Sequence, residues 1–123
     1  MPHLILEYSA NIIEKKNLTT LLKKCHKTLA EMLPTDVTSC VSRAIECNTF
    51  CVGEGFEKNA FIHVSLKVKA GRTEETLQNA GNEVLEVLSD YFAETAKRFH
   101  LQITMEIGEL SPFYFKLVGE GAK

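Results

Sequence analysis

The chain has 123 residues, of which 45% are hydrophobic, and a formal net charge of −2 at pH 7. This length suits a single domain that buries about two thirds of its unfolded surface. The slightly acidic balance gives no electrostatic case for a nucleic-acid partner, and no apolar run approaches the ~20 residues that a membrane-spanning helix needs. Since no secretory leader pattern is present, we expect a cytoplasmic protein without a membrane partner.

The chain begins with an alternating stretch that predicts a strand over residues 2–8. Pro2 follows Met1 directly, and cells generally remove an initiator methionine when a small residue such as proline comes next. Removal would leave a free secondary amine at the start of the strand. Burial or a neighbouring cation lowers the pKa of such an amine, so that it can act as a general base near neutral pH. The alternative is that Pro2 only begins an edge strand, where its missing N–H costs nothing.

A helix and a second strand follow a polar connection. Residues 18–33 carry apolar side chains at helical spacing, which predicts an amphipathic helix with Asn17 as its N-cap. Pro34 ends this helix because the residue before a proline is pushed out of helical geometry. Residues 37–47 alternate and predict a strand, and residues 48–58 predict a short hairpin or loop.

The second half of the chain repeats this plan. Residues 60–68 alternate and predict a third strand, and Ala70-Gly71-Arg72 forms the turn after it. Thr73 is the predicted N-cap of a second long helix, whose apolar stripe continues to Phe99. Residues 101–107 alternate most regularly and predict a fourth strand.

Residues 1–58 and 59–123 are therefore interpreted as two pseudo-repeats within one α+β domain. Each strand–helix–strand unit can make a right-handed crossover between parallel strands. Two such units can form one four-stranded mixed sheet with both long helices on one face. The other face still carries Ile5 and Phe61, and the segment from Phe113 to Leu117 is apolar for a terminus. Uncovered apolar surface of this kind favours oligomerisation.

The four cysteines do not suggest a metal site. They are Cys25, Cys40, Cys47 and Cys51. Their spacing contains no C-x2-C pair and matches no zinc framework. We expect reduced cysteines that behave as small core residues, and no bound metal.

Several stretches in one collinear order carry a family resemblance. They are Pro2-His3-Leu4-Ile5-Leu6-Glu7, Ser42-Arg43, Ala60-Phe61-Ile62-His63-Val64-Ser65-Leu66-Lys67, Ala70-Gly71-Arg72 and Glu106-Ile107-Gly108-Glu109-Leu110-Ser111-Pro112. Together they span nearly the whole chain, which resembles the 5-carboxymethyl-2-hydroxymuconate Δ-isomerase family of the tautomerase superfamily.

The resemblance implies a homotrimer with a tautomerase-like fold, in which the sheets face one another around a central barrel. It also implies a cofactor-free isomerase that uses its amino-terminal proline, Pro2, as the catalytic base. Members of the family move a proton within unsaturated 2-hydroxy or 2-oxo dicarboxylic acids during the breakdown of aromatic compounds. The expected partner is thus a small anionic substrate.

An anionic substrate requires cations, and the planar guanidinium of arginine matches the geometry of a carboxylate. Arg72 belongs to a turn that carries the resemblance, and we expect it to bind the substrate's carboxylate or 2-oxo group. The alternative is a solvated arginine in the first turn of a helix. Arg43 lies between Val41 and Ile45 on one strand face. We expect it to be buried there, and to bind substrate or to pair with a glutamate of a neighbouring subunit.

One departure from the family pattern leaves the substrate open. The pattern has a further arginine two residues before Arg43, where this chain has Val41. A relaxed keto–enol tautomerase of other 2-oxo acids, such as phenylpyruvate, is therefore an alternative to the dicarboxylate isomerase. A non-catalytic trimeric member of the fold is a third hypothesis, which retention of Met1 would favour because the Pro2 nitrogen would then be an amide.

Overall fold

The computed structural model describes residues 1–121, which form a four-stranded sheet covered on one face by two long helices. The strands are β1 (His3–Ser9), β2 (Val41–Cys47), β3 (Asn59–Val68) and β4 (His100–Glu109). The helices are α1 (Leu18–Met32), α2 (Glu74–Tyr91) and the short α3 (Ala93–Arg98), and a 3₁₀ turn spans Val37–Ser39. The predicted α+β architecture is confirmed. Within residues 1–121, no helix is long and apolar enough to cross a membrane.

The strand directions bring the beginning of the chain to the ends of two later strands. The sheet order is β2-β1-β3-β4, with β1 parallel to β2, β1 antiparallel to β3, and β3 parallel to β4. Each half therefore makes one strand–helix–strand crossover, as predicted. His3 at the start of β1 lies opposite Lys67 near the end of β3. Val68, the last residue of β3, lies opposite Glu109, the last residue of β4.

The core lies between the sheet and the long helices. Alternate residues of β1 and β3 point toward the helices, and Leu6, Ile62 and Val64 are each 0% exposed. The helices contribute Leu21, Cys25, Leu29, Ala80, Val84 and Leu88 to the same cluster. Gly81 lets α2 approach β4 closely, because a Cβ at this position would lie 3.3 Å from Cδ1 of Ile107.

The two long helices begin at the predicted positions but in different ways. The hydroxyl of Thr73 accepts a hydrogen bond from the backbone N–H of Thr76, as expected of an N-cap. Asn17 occupies the N-cap position of α1 without a capping hydrogen bond from its side chain. Its φ of −125° and ψ of 52° differ from the extended conformation that N-cap residues typically adopt. Asn17 is therefore the N-cap residue by position, as predicted, but its side chain does not form the capping hydrogen bond.

The predicted second strand over residues 37–47 begins too early. A carboxylate oxygen of Asp36 accepts the backbone N–H of Thr38 and holds a 3₁₀ turn over Val37–Ser39. β2 starts only at Val41, and residues 48–58 form a loop without a strand. Local side-chain to backbone bonding thus replaced strand pairing at the first residues of the alternating pattern.

The apolar stripe of the second helix, predicted to reach Phe99, is interrupted at Phe92. The carboxylate of Glu14 accepts the backbone N–H groups of Glu94 at 2.8 Å and Thr95 at 3.0 Å. It also accepts the hydroxyl of Thr95 at 2.6 Å. A carboxylate in this position satisfies N–H groups that a helix N-terminus leaves without partners. The connection after β1 therefore starts a new helix, α3, where the sequence predicted a continuous one.

The face of the sheet opposite the helices is uncovered in the single chain. On β2, Val41 and Ile45 are 42% and 43% exposed. Phe113, Phe115 and Leu117 of the C-terminal segment are 78%, 87% and 97% exposed. The prediction of uncovered apolar surface is confirmed for β2 and for the segment after β4, whereas Ile5 and Phe61, the two residues on which the prediction rested, are half-buried.

Candidate active site

Pro2 lies at the end of the sheet where the first residues of β1 and β2 meet the last residues of β3 and β4. It is buried, and its carbonyl accepts the backbone N–H of Val41 at 3.0 Å. β1 is a central strand between β2 and β3. The alternative that Pro2 begins an edge strand is therefore wrong, because β1 is hydrogen-bonded on both sides and fixes the position of the residues before it.

A cleft of about 490 Å³ opens beside Met1. Its wall consists of Met1, Lys69, Ala70, Leu110, Ser111, Pro112, Tyr114 and Lys116, and we call it the Met1 cleft. The Nζ atom of Lys116 lies 3.8 Å from the Sδ atom of Met1. The volume falls within the range that small-molecule sites usually have. The amino end of the chain thus meets a space large enough for a small organic acid.

The surroundings of the amino end favour its neutral form. Burial lowers the pKa of the Met1 α-amino group below its ordinary value, and the positive charge of Arg72 lowers it further. Cys40 acts in the opposite direction, while Lys69 and Lys116 add to the lowering. An amine at this place is therefore more often unprotonated near neutral pH than an exposed α-amino group, which is what a general base requires.

Arg72 contacts the turn after β3, which carries the cleft residue Lys69. Its Nε and Nη2 atoms donate hydrogen bonds to the carbonyl of Leu33 at 3.3 and 3.2 Å, and its Nη1 donates to the carbonyl of Lys69 at 3.0 Å. Arg72 is half-buried. The guanidinium connects the end of α1 to the turn after β3. Arg72 is therefore not a freely solvated arginine, which was the alternative.

Arg43 projects from the uncovered face of the sheet, opposite Ile5 on β1. Arg43 is exposed in the single chain. The expectation that it is buried is therefore wrong for the single chain. β2 is an outer strand and only the neighbouring side chains of β1 flank it. Arg43 lines a smaller pocket of about 250 Å³ together with His3 and Tyr114.

His3 and Tyr114 stand between this smaller pocket and the Met1 cleft. Nε2 of His3 shares a hydrogen bond of 2.8 Å with the Tyr114 hydroxyl, and the two rings meet edge to face at 5.7 Å between centroids. Burial lowers the pKa of His3, and the charges of Arg43 and of the amino terminus lower it further. A neutral His3 therefore holds Tyr114, which lines both pockets.

The sequence predictions did not include Lys69, Tyr114 or Lys116 among the site residues. The signal that could have identified them is topological. Once β1 is paired antiparallel to β3 and β3 parallel to β4, the residues that follow both later strands must lie beside Pro2. The predicted site residues are brought to the same end of the sheet, but Arg72 and Arg43 lie outside the wall of the Met1 cleft itself.

The described part of the chain, residues 1–121, contains no group of three or more His, Cys, Asp or Glu side chains placed to hold a metal ion. Cys25 and Cys40 are buried, Cys47 is half-buried and Cys51 is exposed. The functional groups that line the Met1 cleft are the amino terminus, the side-chain amines of Lys69 and Lys116, the hydroxyl of Ser111 and the phenol of Tyr114.

Known structures share this fold. A 5-carboxymethyl-2-hydroxymuconate isomerase from Deinococcus radiodurans R1 superimposes with a TM-score of 0.87 at 30% sequence identity, over 96% of this chain and 90% of that one. A fused 4-OT protein, described as a wild-type symmetric trimer, superimposes with a TM-score of 0.70 at 16% identity, over 94% of this chain and 93% of that one. The fold is therefore tautomerase-like, as the sequence resemblance implied.

Sequence comparison gives the family. The family model for 5-carboxymethyl-2-hydroxymuconate isomerase matches residues 2–117. The 5-carboxymethyl-2-hydroxymuconate Delta-isomerase of Escherichia coli is 35% identical over 112 residues, which cover 91% of this chain and 89% of that protein. The chain belongs to the 5-carboxymethyl-2-hydroxymuconate isomerase family. The prediction of an isomerase is confirmed at the level of this family.

Proposed function

We propose that this protein is a cofactor-free isomerase in which Pro2, after removal of Met1, is the general base. The proposed substrate is an unsaturated 2-hydroxy or 2-oxo dicarboxylic acid of the 5-carboxymethyl-2-hydroxymuconate type, in keeping with the name of the Escherichia coli relative. Its proposed setting is the breakdown of aromatic compounds in the cytoplasm. The observation that carries the proposal is the amino end of the chain, which opens into a cleft beside Lys69 and Lys116.

The proposed reaction needs one group that both accepts and delivers a proton. Isomerisation of a dienol removes a proton from an oxygen and places one on a carbon several bonds away. A single amine that is neutral near pH 7 can do both in turn. Burial, Arg72 and the cleft lysines favour the neutral amine. Because Pro2 directly follows Met1, an amine freed at Pro2 would lie one residue from the amino group whose pKa is lowered, and Pro2 is itself buried.

The two predicted arginines have different proposed roles. Arginine has five N–H donors, and Arg72 uses three of them on the carbonyls of Leu33 and Lys69. The remaining two are proposed to bind a carboxylate or the 2-oxo group of the substrate, on which negative charge develops. Arg43 is proposed to bind the opposite end of the substrate, since its pocket shares Tyr114 with the Met1 cleft.

The base is tested by comparing two forms of the purified protein whose intact masses differ by one methionine. The form that begins at Pro2 is expected to be active. The form that retains Met1 is expected to lose about 10²- to 10⁴-fold in kcat, because its Pro2 nitrogen is an amide that accepts no proton and its free amine, at Met1, lies one residue away from the position of the proposed base. Circular dichroism serves as the control that both forms are folded. Equal rates in the two forms would contradict the proposed base.

A relaxed tautomerase of monocarboxylic 2-oxo acids remains a second candidate function, and Val41 favours it. This residue is 42% exposed on the open face, opposite His3, and offers methyl groups where an arginine would offer a carboxylate ligand. The measurement is kcat/KM for phenylpyruvate and for a 2-hydroxymuconate dicarboxylate. A preference of tenfold or more for the dicarboxylate would exclude this candidate.

The protein is also proposed to form a homotrimer through the uncovered sheet face and the C-terminal segment. Phe115 and Leu117 are 87% and 97% exposed in the single chain, and contiguous apolar surface of this kind usually marks an interface. The structurally similar fused 4-OT protein is described as a symmetric trimer. Sedimentation equilibrium is expected to give three times the chain mass, and less in the double variant Phe115→Ser, Leu117→Ser. A monomer at micromolar concentration would refute the trimer.

A further inference from the structure

The Met1 cleft is lined by two lysines. Lys69 approaches it from the turn after β3, and Lys116 approaches it from the segment after β4. The residues that line it include no aspartate or glutamate. Within residues 1–121 the ion pairs join Lys15 to Glu46, His63 to Glu106 and Arg98 to Glu94. Neither cleft lysine takes part in them.

The rest of the cleft wall matches the carbon skeleton of an organic acid. Ala70, Leu110 and Pro112 supply apolar surface, and Ser111 supplies a hydroxyl. The ring of Tyr114 closes one side and is held in place by its 2.8 Å hydrogen bond to His3. Two cations on separate segments above an apolar wall are suited to a carboxylate attached to a short carbon chain, and they do not suit a cation or a neutral sugar.

We propose that Lys69 and Lys116 together bind a carboxylate of the substrate in the Met1 cleft. The position of this carboxylate relative to the reacting carbon rests on the proposed function, whereas the binding of an anion does not. Because the two lysines come from different segments, the anion bridges the turn after β3 and the C-terminal segment. Lys116 is then a specificity-determining residue for acids over uncharged analogues of the same shape.

The test uses adipate, a saturated six-carbon dicarboxylate that cannot isomerise, and adipamide, its uncharged analogue. Binding is followed by NMR titration of the folded protein at low ionic strength. Adipate is expected to bind the wild type and to bind Lys116→Met about tenfold more weakly, the usual effect of removing one charge-assisted hydrogen bond. Lys69→Met is expected to weaken adipate binding by a similar factor. Adipamide is expected to bind both variants and the wild type equally.

Lys27→Met is the matched control because Lys27 is an exposed lysine of α1 away from the cleft. It removes the same net charge and is expected to leave the adipate dissociation constant unchanged. Equal adipate binding by wild type and Lys116→Met, or equal weakening by Lys27→Met, would overturn the proposal. Adipate binding that depends on Lys116 in a protein with a free Pro2 and no isomerase activity would refute the proposed function and support this inference.

Discussion

Replacing Arg72 by alanine is expected to lower stability as well as activity. Its guanidinium donates three hydrogen bonds to two backbone carbonyls, those of Leu33 and Lys69. Leu33 is the C-cap of α1, and the last carbonyls of a helix have no partner within it. A cation at this end also interacts favourably with the helix dipole. The substitution therefore removes both a cap of α1 and the bond that holds the turn carrying Lys69.

The size of the effect follows from the number of acceptors. The two bonds to Leu33 share one carbonyl and count as one strong contact, and the bond to Lys69 is the second. Bonds from charged donors contribute about 1.5–3 kcal/mol each, which gives about 3–6 kcal/mol for two contacts, and the partial exposure of Arg72 reduces the expected loss to about 2–4 kcal/mol. Arg72→Lys keeps the charge but reaches one carbonyl only, so it is expected to recover about half of the loss.

Urea denaturation measures this loss. The protein concentration is held fixed because the stability of the proposed trimer depends on it. With a slope of about 2 kcal/mol per molar urea, typical of a small protein, the midpoint of Arg72→Ala is expected to fall by roughly 1–2 M. Arg98→Ala is the control. Arg98 forms an exposed pair with Glu94 at 3.3 Å, and such pairs contribute at most about 0.5 kcal/mol.

Activity is measured on the same samples, at a temperature and urea concentration where each variant is folded. A fall in kcat/KM together with an unchanged unfolding midpoint in Arg72→Ala would refute the structural part of this reasoning. It would leave Arg72 as a residue of the substrate site alone. An unchanged kcat/KM in the folded variant would instead remove Arg72 from the proposed mechanism.

Further measurements test the electrostatics of the site and the start of α3. Because the proposed base acts in its neutral form, kcat/KM is expected to rise with pH through the pKa of the chain-terminal amine, at a lower pH than an ordinary α-amino group would give. Lys69→Gln removes a charge that lowers this pKa and is expected to move the rise to higher pH; an unmoved midpoint would contradict the assignment. Glu14→Ala leaves the N–H groups of Glu94 and Thr95 without their acceptor and is expected to cost about 2–4 kcal/mol, with Glu14→Gln costing less. A loss below about 0.5 kcal/mol in the denaturation of Glu14→Ala would show that the carboxylate does not define the start of α3.

Much of the fold could be predicted from the sequence because each strand and each helix carries its own periodicity. The alternation of Leu4 and Leu6 with their neighbours, and that of Ile62 and Val64, reports which face of the sheet is buried. The helix cap at Thr73 depends on residues three positions apart. Signals of this kind are local, and they predict the order of strands and helices. The rule for strand–helix–strand crossovers then predicts that the two strands of each half are parallel.

The errors arose where contacts between distant segments decide the structure. The break between α2 and α3 depends on Glu14, about 80 residues before Thr95 in the chain, and no local pattern near Phe92 reports it. The exposure of Arg43 depends on β2 being an outer strand of the sheet. The approach of Lys116 to Met1 depends on where β4 ends relative to β1.

The topology suits the proposed use of the chain terminus as a general base. A terminal residue is usually poorly ordered unless it is tied to regular structure. Here β1 is hydrogen-bonded to β2 on one side and to β3 on the other, and the carbonyl of Pro2 is itself bonded to Val41. The same strand directions bring Lys69 and Lys116 to that terminus from two other segments. Moving β1 to the edge of the sheet would free Pro2 on one side and separate it from β2 or β3. The central position of β1 therefore both fixes the proposed base and gathers the charges that favour its neutral form.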